Sequence, residues 1–100
     1  MSKETRFREY TRSVWQRDYE AYDRRPASWR ESIAPAVEVL LGELRRCADE
    51  ESLHAAYWEP GDWPAQVLQR HLPSDPWPEA LLELEHIAFW LRWQELAEAE

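Results

Sequence analysis

Two glycines, one cysteine and one methionine in 100 residues leave whole classes of chemistry without their usual parts. The chain has no glycine-rich phosphate loop, no Cys-x-x-Cys pair, no zinc-ligand spacing and no serine-centred elbow. Cys47 cannot form an intrachain disulfide. It sits in a helical apolar pattern, as an inert core thiol in a reducing compartment would. No apolar run approaches the roughly 18 residues that a membrane span needs. The polar start, Met1-Ser2-Lys3-Glu4-Thr5-Arg6, has no apolar segment of the kind that directs secretion. The expectation is a cytoplasmic protein, not membrane-bound, with no cofactor. β-Branched residues are scarce and no segment alternates with period two, which excludes a sheet.

What the chain has in quantity is tryptophan, seven of them: Trp15, Trp29, Trp58, Trp63, Trp77, Trp90 and Trp93. A short chain has difficulty burying enough surface to stay folded, and each indole relieves that shortage. Any indole left uncovered marks a surface built to meet something else.

Charge is uneven along the sequence. The formal net charge is −8, with a balance of +3 over residues 1–30 and −11 over residues 31–100. This disfavours direct binding to nucleic acid or to an anionic membrane. It suits a basic N-terminal helix lying against acidic faces of the same chain, or a head-to-tail contact between chains.

Periodicity predicts five helices in one all-α, bundle-like domain, at about 4–24, 33–48, 50–58, 63–72 and 78–98. The first has Phe7, Tyr10, Val14, Trp15, Ala21 and Tyr22 on one stripe. Asp18 falls in the middle of it and requires a hydrogen-bonding partner, an indole, a tyrosine hydroxyl or an arginine of another segment. Ser28 to Glu31 reads as a capping box and Ser32 as a second candidate cap. Pro35 favours Ser32, because it then falls in the first turn. The second helix repeats Ile33, Ala36, Val37, Leu40, Leu41, Leu44, Cys47 and Ala48. Asp49-Glu50-Glu51 offers an acidic start to the third. Two Trp-Pro turns, around Pro60-Gly61-Asp62 and around Pro76, each lead into a helix. His71 suits the negative end of the fourth helix. The last helix carries two apolar stripes: Ala80, Leu81, Leu84, Ile87, Ala88 and Leu91 on one, Leu82, Phe89, Trp93 and Leu96 on the other. Such a helix either crosses the centre of its own domain or shows one face to a partner.

These patterns point to protein–protein recognition, through self-association as a homodimer or docking onto another protein, and away from an enzyme. The candidate partner-binding residues are Trp63, Trp77, Phe89, Trp90 and Trp93, with an acidic rim. A second reading is a carboxylate–histidine metal protein. Glu51–His54 and Glu83–His86 have the Glu-x-x-His spacing that puts both side chains on one helix face, and Glu38 or Glu43 with Glu20 or Asp18 could complete a site. A third is an acidic mimic of nucleic acid that acts on a DNA-handling protein.

Overall fold

The computed structural model describes residues 3–58, 61, 63–72 and 78–99, with the side chains at 4 and 78–80 excepted. Five helices make up one all-α domain: α1 Lys3–Asp23, α2 Ala27–Leu44, α3 Glu50–Trp58, α4 Trp63–His71 and α5 Pro78–Glu98. There is no strand among the described residues. The domain measures 42 × 28 × 25 Å. No described helix is long and apolar enough to cross a membrane. Asp62, Pro60 and the turn around Pro76 and Trp77 lie outside the described residues.

α5 is the central post, packed by α1, α2, α3 and α4. This decides between the two readings of its double stripe. Leu81, Leu84, Ile87 and Ala88 of one stripe are buried, and Phe89 of the other is equally so. Trp93 and Leu96 pack against the same core, and Leu82 alone of the second stripe is exposed. The second stripe is therefore mostly consumed within the chain, because α1 lies along it.

The periodic positions of α2 from Ile33 to Leu44 are buried as the spacing predicts. Its ends differ from expectation. The helix begins six residues early, behind Pro26, whose carbonyl accepts from the amides of Trp29 and Arg30, both at 3.1 Å. Neither serine cap forms at this end; the Ser32 hydroxyl donates to the carbonyl of Trp29 at 2.6 Å. Pro35 is therefore inside the helix. It is tolerated because it and Glu31, whose carbonyl loses its donor, both face solvent. Trp29 explains the early start: its ring lies 6.1 Å from that of Tyr22, with the Arg25 guanidinium 4.7 Å above it, fixing the α1–α2 corner. The helix also ends early, at Leu44, because Arg92 of α5 takes up the carbonyls beyond it. It donates to Cys47 at 2.8 Å and to Arg45 at 3.4 Å.

α3 starts where the acidic run predicts. The Ser52 amide donates to Asp49 Oδ1 at 2.8 Å, an N-cap. These donors hold the Asp49 carboxyl below its usual range. Before α4, Gly61 has φ 123°, a conformation that side chains resist. Pro64 then sits in the first turn of α4, where its missing amide costs little.

α1 is rotated relative to its apolar stripe. Thr11 and Trp15 are buried, and Asp18, Tyr19 and Tyr22 turn inward with them. Phe7 is 49% exposed and Tyr10 66%. The polar members decide the rotation. Thr11 can go inside because its hydroxyl donates to the Phe7 carbonyl at 2.9 Å, and Asp18 because it meets a partner on α5. Ion pairs from Arg12 to Glu50 (3.4 Å) and from Arg25 to Glu83 (3.7 Å) join the basic helix to acidic neighbours, the intramolecular arrangement expected from the charge asymmetry.

Candidate functional site

Three helices bring three titratable side chains into one hydrogen-bonded chain. His86 of α5 is 3% exposed. Its Nδ1 lies 2.5 Å from Asp18 Oδ2 on α1, and its Nε2 lies 2.8 Å from the Tyr57 hydroxyl on α3. With the imidazole neutral, Nδ1–H donates to the carboxylate and Nε2 accepts the phenolic proton. Burial lowers the His86 pKa, against the opposing pull of Asp18. Burial raises that of Tyr57, with Glu85 adding to the effect. Both shifts favour the neutral imidazole and the protonated phenol.

Trp15 anchors this cluster. Its ring stacks on His54 at 4.9 Å and meets Tyr57 edge-on at 5.3 Å and Phe89 at 5.2 Å. His54 is also buried. Glu50 Oε1 is 3.4 Å from its Nε2, but neither ring nitrogen has a partner in hydrogen-bond geometry. Burial lowers its pKa, Glu50 opposes that, and Arg8 and Arg12 reinforce it.

From the buried chain, aromatic contact continues to the surface. Tyr57 meets the Trp58 ring edge-on at 4.9 Å, and Trp58 lies 4.9 Å from Phe7. Trp58 is 52% exposed, so it forms with Phe7 and Tyr10 an aromatic face between α1 and the end of α3.

The residues singled out by sequence fall elsewhere. Phe89 and Trp90 are core. Trp63 is half-buried against that core. Trp93 is half-buried, stacked on Trp90 at 5.1 Å and covered by the Arg12 guanidinium 5.1 Å from its ring. Trp77 lies outside the described residues. The interface expected from the second stripe of α5 is thus largely occupied by the chain itself.

The members of the two Glu-x-x-His pairs point to different neighbours. Glu51 is exposed while His54 turns inward toward Trp15 and Glu50. Glu83 pairs with Arg25, and both nitrogens of His86 are engaged. No group of three or more His, Cys, Asp or Glu converges to hold a metal among the described residues. Both histidines are interior. The expectation that Asp18 needs a partner holds: from another segment it is a histidine, His86, and the adjacent Arg17 adds a longer contact at 3.4 Å.

The connectivity Asp–His–hydroxyl resembles an activated nucleophile. Here the hydroxyl belongs to a tyrosine whose burial holds its proton, and it is aimed inward at a buried ring. The arrangement joins α1, α3 and α5. A shallow hollow of about 220 Å³ lies apart from the chain, at the α1–α2 corner, lined by Tyr22, Ala27, Arg30, Glu31 and Ala34. Cys47 is half-buried and burial raises its pKa, which suits an inert thiol.

Phe7 and Tyr10 were legible as aromatics but not as surface. The signal was the presence of Thr11 and Asp18 at angles that compete with them for the inward face. Compared with protein-family models, curated proteins and solved structures, the chain matches none.

Proposed function

We propose that the protein is a protein-recognition module whose docking face is Phe7, Tyr10 and Trp58. The observation that supports this reading is the exposure of three large aromatics from two different helices, Phe7 and Trp58 in ring contact and Tyr10 one turn along α1 from Phe7, in a chain that covers its other described indoles. Aromatic anchors of this kind dominate interface energetics. The buried Asp18–His86–Tyr57 chain is the support beneath: it ties α1, α3 and α5 together and fixes the residue next to Trp58. A half-exposed aromatic offers about 100 Å² each, so the three supply roughly 300 Å². A stable interface takes about 800 Å² per partner. The face is an anchor for a reversible contact with another protein. A nucleic-acid mimic would need acids spread over one surface with little aromatic exposure, and this face has the opposite make.

The test is affinity capture from the source cell with three proteins: wild type, F7A/W58A, and a matched surface variant far from the face, R46A/R70A. A partner held by wild type and the matched variant and lost by F7A/W58A supports the reading. Identical capture by all three overturns it.

A further inference from the structure

Seen along its axis, α1 carries a second property at the edge where the aromatic face lies. At about 100° per residue, Lys3, Arg6, Phe7, Tyr10, Val14, Arg17, Ala21 and Arg24 fall within one arc of about 100°. No residue of that arc is acidic, although the chain has 20 Asp and Glu. The acids of α1 lie elsewhere. Asp18 turns inward to His86, and Glu9, Glu20 and Asp23 fall outside the arc, Glu20 about 40° beyond its arginine edge. Within the arc Lys3, Arg6, Phe7, Tyr10, Arg17 and Arg24 are exposed. Lys3, Arg6 and Arg24 carry no ion pair among the described residues, and Arg17 reaches only its neighbour Asp18, at 3.4 Å. In a protein of net charge −8, this strip thus exposes cations beside aromatic rings.

We infer that this strip receives an acidic, amphipathic helical segment of another protein, its apolar side chains on Phe7, Tyr10 and Trp58 and its carboxylates on Lys3, Arg6, Arg17 and Arg24. This rests on the docking reading above and adds the partner's chemistry. Three arguments choose the occupant. Charge complementarity requires an anion. The strip is long and narrow, roughly 30 Å for a helix of this length, which fits one helix laid alongside and not a broad globular face. The aromatic area falls short of what a stable dimer needs. A polyphosphate or an anionic bilayer meets the cations equally well. Either would also bring dense negative charge against the −11 carried by residues 31–100, whereas a peptide can place its few carboxylates only where cations wait.

The probe is a fluorescein-labelled 18-residue peptide, three repeats of Glu-Leu-Leu-Glu-Ala-Phe, titrated with the full chain and followed by anisotropy. The parallel ligands are phosphatidylglycerol vesicles and a 20-mer of thymidylate. Sedimentation velocity reports self-association. Two charge variants lower the net charge equally, K3E/R6E on the strip and R46E/R70E away from it, each checked for wild-type helicity by circular dichroism. The inference expects saturable peptide binding that weakens at least threefold between 50 and 300 mM NaCl. It also expects a loss of about tenfold in K3E/R6E, with less than twofold change in R46E/R70E. Absence of peptide binding, equal effects of the two charge variants, tighter binding to vesicles or oligonucleotide, or a dimer abolished by F7A would each overturn it. The two readings fail separately. Partner loss on F7A/W58A with no effect of K3E/R6E keeps the docking face and removes the acidic partner; indifference to both pairs removes both.

Discussion

His86 and Asp18 are 68 positions apart in sequence, yet Nδ1 of one lies 2.5 Å from Oδ2 of the other. The bond joins the C-terminal part of α1 to the middle of α5, and Tyr57 extends it to α3. A buried donor that loses its acceptor costs more than the bond itself contributed.

That asymmetry gives the first prediction. Asp18→Ala leaves a buried imidazole N–H unsatisfied and Tyr57→Phe leaves a buried imidazole acceptor unsatisfied, so each should cost about 1–3 kcal/mol. Urea unfolding measures both. In the double variant the losses should not add, since the groups share His86. Losses that add within about 0.3 kcal/mol would mean that the three residues do not act as one chain.

Stability should fall on mild acidification. Burial lowers the pKa of both His54 and His86 in the folded state. The unfolded chain, with its histidines near pH 6.5, therefore binds more protons as the pH drops through that value. The contribution is complete above about pH 7 and diminishes from there down to the folded pKa values. Urea midpoints at pH 7.5, 6.5 and 5.5 should decline in that order. His54→Phe, which keeps the ring against Trp15, should flatten the decline. A midpoint that rises toward pH 5.5 would contradict the assignment.

Core and surface aromatics should separate cleanly in a thermal melt. Phe89 is 1% exposed among Trp15 and Tyr57, and Phe89→Ala should cost about 3–5 kcal/mol. Trp58→Ala and Phe7→Ala remove half-exposed rings and should each cost within about 1 kcal/mol. Similar melting temperatures for F89A and W58A would place the core wrongly.

Arg92 should resist its conservative replacement. Its fork donates to the Cys47 carbonyl at 2.8 Å and to Glu95 Oε1 at 3.2 Å, closing the end of α2 from α5. A lysine ammonium cannot span both, so Arg92→Lys should cost about 1–2 kcal/mol. For a domain of this size that is a drop of several degrees in Tm. An unchanged Tm would show that water satisfies those carbonyls equally well.

Local signals carried the fold a long way. The apolar repeat from Ile33 to Leu44, the acidic start at Asp49 and the Trp-Pro lead into α4 each act within a turn or two, and each is where the sequence puts it. The ends of α2 were not legible, because one is set by Trp29 packing on Tyr22 and the other by Arg92 from another helix. The candidate site was half legible. Asp18 announced that it needed a partner, but the spacing of Glu83 and His86 pointed to a metal pair instead of to a bond across the domain.

By itself the sequence determined that this chain is helical, acidic and rich enough in indoles to fold at 100 residues, since periodicity, charge and side-chain size are properties of neighbours along the chain. Which aromatics face water was decided only in three dimensions. α1 turns to satisfy Thr11 and Asp18, because an unpaired polar group in the interior costs more than an exposed ring, and that turn leaves Phe7 and Tyr10 outside with Trp58.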